Sequence, residues 1–395
     1  MALRTRNEAE MIRDRIIGWR RAFHEIPELQ DEILRTEALI AETLRSVGIE
    51  EIRTGVGGHG VTAVIRGALP GKCLAIRADC DALPIREETG LPFASQNGCM
   101  HACGHDAHIA MALGAAALLW ARREELRGTV KFIFQPYEEG GRGALQMIRD
   151  GVLEDPKVDN MIALHIGNIM GMEYESGDVV VTPAPSSANI YGFRATFRGN
   201  GTHLASLEQG IDPLPMASRA VLLLREMNQE KKVRGEHFAA AVTMVHGGVR
   251  NNIVPDECTV EGSIRSFDRR KHLDFIARFQ EECRLIAEES GGTVRFETVT
   301  DVPCTENDPA LYRRFSAVAA SVVAPEHLKT LETAPLMGED FACFSEKVPS
   351  FYFYYCSKPE NGPCYPHHHP KFDINEADLP LGSALFTEFA LHWQA

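Results

Sequence analysis

Three short apolar runs in this chain each lead into ionisable side chains. Residues 73–76 run into Arg77-Ala78-Asp79-Cys80-Asp81, residues 130–134 into Gln135-Pro136-Tyr137-Glu138-Glu139, and residues 158–164 into His165. Runs of this length separated by helical patterns read as buried strands of a largely parallel sheet. Parallel strands place their carboxyl ends on one edge, where open α/β sheets collect their sites. Asp79, Asp81, Glu138, Glu139 and His165 are therefore expected to be neighbours in space.

The rest of the pattern supports an α/β fold. Residues 8–47 read as two helices, the first with Met11, Ile12, Ile16, Trp19 and Phe23 on its apolar face, the second ending at Gly48. Residues 61–65 and 73–76 flank a turn at Ala68-Leu69-Pro70-Gly71, and a long buried helix follows over 106–122. Another helix holds 145–148. The pattern changes near Pro183-Ala184-Pro185. From there strand 188–198, helix 213–227, strands 238–246 and 257–266, helix 270–290 and strand 292–299 give βαββαβ, the ferredoxin-like order. Helices 309–323, 340–346 and 378–393 and strand 350–356 then resume the first pattern. The expected organisation is a split α/β domain, 1–182 with 300–395, around an inserted ferredoxin-like domain, 183–299.

The chain of 395 residues carries a net charge of -14. That balance, with no Lys/Arg block, speaks against nucleic acid as a partner, since phosphate contacts need a basic surface. Residues 1–10 lack the apolar centre of a secretory signal, and the longest apolar run, 109–121, is too short for a membrane span. Ten scattered cysteines read as reduced thiols, so a cytoplasmic protein with no membrane partner is expected.

The chemistry concentrates in Met100-His101-Ala102-Cys103-Gly104-His105-Asp106-Ala107-His108. Cys103 and the three histidines are good metal donors, and a tight loop at a helix start favours a thiolate. Taken one at a time, each segment has a bland reading. This one could be a capped helix start with a buried cysteine, Glu138-Glu139 a solvated turn, His165 a core histidine, and Tyr365-Pro366-His367-His368-His369 a surface loop. Their convergence on one sheet edge argues for a metal site.

Taken together, the segments WRRAFHEIPEL (19–29), RADCDALPI (77–85), MHACGHDAH (100–108), FQPYEEGG (134–141), LHIG (164–167), GNGTHLA (199–205), NNIVP (251–255), MGEDF (337–341) and HHHPKFDIN (367–375) resemble the M20 metallopeptidases end to end. Within that family the chain is most similar to aminoacylases, hippurate hydrolases and auxin-conjugate amidohydrolases. The resemblance implies a metallohydrolase domain with an inserted lid that also dimerises the protein. It implies two divalent ions per chain, zinc or manganese, bound by Cys103, His105, Glu139, His165 and His368, with Cys103 shared. His368 is chosen from the three histidines because the family ligand lies two residues before Pro370. Glu138 would be the general base in hydrolysis of a small N-acyl amino acid. His203 would stabilise the oxyanion in the partner subunit's site, implying a homodimer, and Asn252 and Arg265 would touch the substrate.

Four positions depart from the family pattern. Leu207 and Glu208 stand where many relatives have Pro and His, Tyr137 where Ala is common, and Arg142 within a usual glycine run. Competing readings are a dipeptidase, carboxypeptidase or other C–N hydrolase on the same scaffold, a non-catalytic metal-binding regulator, and a redox protein using Cys99 and Cys103. The last would need CxxxC spacing to serve in place of CxxC.

Overall fold

Alternate residues of the strand Leu69–Asp79 feed two different cores. Leu74, Ile76 and Ala78 pack into one, while Cys73 and Ala75 pack into the other. A strand covered on both faces must be apolar throughout, which explains its near-continuous hydrophobic run. The structure, a computed structural model, describes residues 2–168 and 174–394. They form two units. The first is Met1–Ser186 with Thr305–Ala334 and Asp340–Ala395; the second is Ser187–Cys304 with Pro335–Glu339.

The first unit holds an eight-stranded sheet. In spatial order its strands are Ile52–Val56, Gly60–Arg66, Arg127–Gln135, Leu69–Asp79, Asn160–Ile166, Ser350–Tyr355, Val179–Val181 and Leu328–Thr330. The four central strands run parallel. Their register sets Asp79 against Gln135, Arg77 against Ala163, and His165 against Tyr354. The predicted carboxyl ends therefore share one edge. The helix His105–Ala121 is buried on nearly every side, as its apolar composition requires. Gly104 precedes it at φ 84°, and a Cβ there would come within 3.0 Å of Ile166 Cγ2, so the turn into the helix needs glycine.

Several sequence expectations need correction. The first 47 residues hold three helices, Ala2–Met11, Arg13–His24 and Leu34–Val47, because the chain breaks at Ile12. The expected helix over 340–346 shrinks to Ala342–Ser345. The strands Ile52–Val56, Val179–Val181 and Leu328–Thr330 were not expected. All are short; Ile52–Val56 joins Gly60–Arg66 as a hairpin, while Val179–Val181 and Leu328–Thr330 pair with segments distant in sequence.

The second unit is a four-stranded sheet in the order Thr293–Val302, Asn189–Arg198, Glu257–Ser266, Ala239–Gly247, antiparallel throughout. With helices Pro213–Val233 and Arg269–Glu289 this is the ferredoxin-like βαββαβ arrangement. Asp212 and Asp268 cap the helices, accepting the N–H of Leu214 and of Lys271. Phe193, Phe197, Leu224 and Phe279 fill the core beneath them. A small ribbon, Thr202–His203 with Ile253–Val254, lies outside this sheet. No helix among the described residues is long and apolar enough to cross a membrane.

Candidate metal centre

The sheet edge gathers six of the nine residues singled out from sequence: Cys103, His105, Glu138, Glu139, His165 and His368. Two sets of donor atoms overlap there. Cys103, His105 and His165 form one, Cys103, Glu139 and His368 the other, the atoms of each lying within 4.8 Å of one another. Cys103 belongs to both. A further set joins His105, Glu138 and Glu139.

Hydrogen bonding decides which nitrogen each histidine presents. His105 donates from Nδ1 to the Asp81 carbonyl at 2.7 Å, and His165 donates from Nδ1 to the Ile166 carbonyl at 2.9 Å. Each ring therefore turns Nε2 toward the site, where it offers a lone pair once that nitrogen is free of a proton. His165 Nε2 lies 3.4 Å from Cys103 Sγ. His105 Nε2 and Glu139 Oε1 are both buried without a hydrogen-bond partner. Orphaned donor atoms of this kind, beside a thiol and a third imidazole, fit a divalent cation.

His108, another donor by sequence, is engaged elsewhere. Its Nδ1 donates to Asp79 and its Nε2 accepts the N–H of Ile166 at 2.9 Å. It steadies the strand end that carries His165. The three consecutive histidines also separate. His367 donates from Nε2 to the Ile166 carbonyl at 3.0 Å and packs on Phe372, while His369 accepts the N–H of Lys371 and stacks on Tyr365. His368, at φ 64°, sets its Nε2 3.3 Å from Glu139 Oε1.

The carboxylates are held by their surroundings. Asp81 is buried, and one oxygen accepts the N–H of Glu138 at 2.9 Å, the other that of Glu139 at 3.1 Å. Arg77, also buried, donates to Asp79, Gln135 and Asp340, and Asp340 accepts the N–H of Ala144. The sequence marked Asp79 and Asp81 only as edge residues. Their spacing on one strand end was the available signal; Asp340 lies in the MGEDF segment, but its pairing with Arg77, 263 residues away, had none.

Charge favours a cation. Burial opposes a proton on His105, but Asp79, Asp81 and Glu139 outweigh it and lift its pKa to about 10. Burial, then Glu139, Glu138 and Asp79, push the Cys103 thiol well up. Burial also keeps His165 neutral, with His108 and His367 adding to the effect. A site that raises a cationic acid and holds back a thiolate is short of positive charge.

The other three singled-out residues, His203, Asn252 and Arg265, belong to the second unit. His203 is exposed, and its Nδ1 accepts the N–H of Ala205 at 3.1 Å, leaving Nε2 outward. Asn252 lies beside it, its carbonyl accepting the N–H of Leu204. Arg265 donates to the Leu336 carbonyl at 2.8 Å and has no carboxylate partner among the described residues.

Comparison with known proteins matches residues 75–392 to Peptidase family M20/M25/M40. Thermostable carboxypeptidase 1 of Saccharolobus solfataricus is 36% identical, over 96% of this chain and 95% of that protein. N-acetylcysteine deacetylase of Bacillus subtilis is 34% identical, over 95% and 96%. Among solved structures, a dinuclear metal-binding peptidase of the M20 family from Bacillus subtilis superposes with a TM-score of 0.81 at 32% identity, over 97% of this chain and 98% of that one. A match over most of the sequence, at this identity and with this fold, makes the chain a member of Peptidase family M20/M25/M40.

Proposed function

We propose that this M20-family hydrolase cleaves the amide bond of small N-acyl amino acids, with Glu138 as general base and two divalent ions held by Cys103, His105, Glu139, His165 and His368. The observation that supports this best is the pair of donor sets sharing Cys103, with Glu138 in reach of His105 and Glu139. When bound, two such ions supply an acidified water and a polarised substrate carbonyl. The mixture of thiolate, imidazole and carboxylate suits zinc and tolerates manganese. Glu138 takes the proton of the attacking water and returns it to the departing amine. Asp81 aims Glu138 by holding its backbone N–H.

Arg265 and Asn252 would receive the substrate, the unpaired guanidinium meeting its carboxylate. His203 would stabilise the oxyanion of a partner's substrate. The second unit exposes Leu204, Leu207, Met244, Val245, Val249 and Ile253, which supports a homodimer through this unit. The ten free cysteines suit a reducing cytoplasm. The carboxypeptidase relatives support a second reading, in which the bond cut is a peptide bond.

The test is amine release from N-acetyl, N-benzoyl and indole-acetyl amino acids and dipeptides by protein loaded with Mn²⁺ or Zn²⁺. Glu138→Gln should keep two ions and lose ~10²-fold or more in turnover. Near-normal turnover in that variant would remove Glu138 from its role. Dipeptides outrunning every N-acyl amino acid would favour the second reading.

A further inference from the structure

Tyr137 lies between the strand Arg127–Gln135 and the two glutamates, at φ 57°. This left-handed conformation strains an aromatic residue and is one that glycine adopts freely. The surroundings hold it there from every side. Its N–H donates to the Gln30 carbonyl at 3.0 Å, and Gln30 is itself left-handed at φ 60°. Its carbonyl accepts the N–H of Arg142 at 3.3 Å and of Gly143 at 3.1 Å, closing the turn that contains Glu138 and Glu139. Within that turn the N–H of Gly141 donates to the Glu138 carbonyl at 2.7 Å.

The ring adds a second constraint. It lies against Gly140, where a Cβ would fall 1.9 Å from Tyr137 Cε2 and 2.5 Å from Cδ2. The ring thus fills the space a side chain at Gly140 would occupy. The next two N–H groups after Tyr137 both end on Asp81. Backbone direction at Tyr137 and the carboxylate of Asp81 together determine where Glu138 starts.

We propose that Tyr137 is the positioning residue for Glu138: its left-handed backbone and its ring on Gly140 set the direction in which the base is presented. This rests on Glu138 being the base. Tyr137 acts through the turn, so its loss should reduce proton transfer rather than substrate binding. The hydroxyl takes no part.

The experiment compares Tyr137→Phe, Tyr137→Ala, Gly140→Ala and Glu138→Gln in the full chain loaded with Mn²⁺, measuring kcat and KM separately and counting bound metal. Tyr137→Ala should lower kcat by ~10²-fold, the scale of a misplaced catalytic group, with KM and metal content near the parent's. Tyr137→Phe should restore turnover. Gly140→Ala, which drives a methyl into the ring, should lose kcat as Tyr137→Ala does, and it gives an independent reading if Tyr137→Ala fails to fold. Parental kcat in both Tyr137→Ala and Gly140→Ala would overturn the proposal, as would a loss confined to KM. A Tyr137→Phe as slow as Tyr137→Ala would also overturn it, by assigning the work to the hydroxyl. If Glu138→Gln turns over normally, the base assignment itself falls and this inference with it. If Glu138→Gln is dead while the Tyr137 and Gly140 variants are unaffected, only the inference falls.

Discussion

His105 donates from Nδ1 to the backbone carbonyl of Asp81 at 2.7 Å, and this bond settles which face of the imidazole the site receives. The same Asp81 spans the N–H groups of Glu138 and Glu139 with its two carboxylate oxygens. One residue at a strand end thereby orients a histidine with its main chain and two glutamates with its side chain. Burial raises the Asp81 carboxyl, with His105 and the Glu138 N–H opposing. Its cost is offset by the two backbone N–H groups that its carboxylate oxygens accept.

Asp81→Asn should separate these duties. The carbonyl that fixes His105 remains, but an amide side chain can accept on one atom only and turns an N–H toward the other backbone N–H. Turnover should fall roughly 10- to 100-fold, the range found for outer partners of a metal site, with metal content little changed. Steady-state kinetics beside metal analysis checks this. A variant with parental kcat would show that the two N–H bonds do not matter to catalysis.

The shared position of Cys103 predicts an unequal response to ligand removal. His368 belongs to one donor set only, and it is half-exposed. His368→Ala should therefore keep about one ion per chain, on Cys103, His105 and His165, whereas Cys103→Ala should keep about none. Mass-spectrometric metal counting after dialysis distinguishes the two. Equal retention by both variants would rule out a bridging cysteine.

The strand ends were legible because burial on both sheet faces forces continuous apolar runs, and such runs stop where the edge becomes polar. Such runs predict that Asp79, Asp81, Glu138, Glu139 and His165 meet at one edge. The identity of each histidine's free nitrogen was not legible. His105 and His108 sit three apart on one helix and look like a chelating pair, yet Ile166, 58 residues further on, occupies one nitrogen of His108 and Asp79 the other. The same holds for Asp340, whose carboxylate joins Arg77 to Ala144 through contacts no local pattern encodes. The shortest strands escaped for a related reason: three residues such as Val179–Val181 acquire strand character only from their two neighbours in the sheet.

Arg265 offers a test of substrate orientation. Burial lowers the pKa of its guanidinium, which has one carbonyl contact and no carboxylate among the described residues. A charge left in that condition is expected to meet an anion supplied by the ligand. Arg265→Ala should raise KM for an N-acyl amino acid roughly 10- to 100-fold, the worth of a charged hydrogen bond. For the same substrate with its carboxylate converted to a primary amide, the change should be small. Equal losses on both substrates would mean that Arg265 supports the strand Glu257–Ser266 rather than the ligand.

His24 predicts a pH dependence of stability distinct from that of activity. It is buried with both ring nitrogens facing carboxylates, Nδ1 at 2.8 Å from Asp106 and Nε2 at 3.1 Å from Glu87. Arg20 donates to the same Asp106 oxygen at 2.9 Å. Burial works against the imidazolium, but Asp106 and Glu87 prevail and raise its pKa from 6.5 to about 9. Both carboxylates are themselves held low, so they stay ionised across this range. A histidine whose folded pKa exceeds its unfolded one adds stability that is complete below about pH 6.5 and is lost as pH rises through about 9. The shift corresponds to roughly 3 kcal/mol. His24→Gln should therefore melt lower than the parent at pH 6, with the gap narrowing steadily between pH 6.5 and 9. Thermal unfolding of chelator-treated protein at a series of pH values measures the gap without a contribution from bound metal. A gap that stays constant across that window would show that His24 is neutral in the folded chain, and that Arg20 alone balances Asp106.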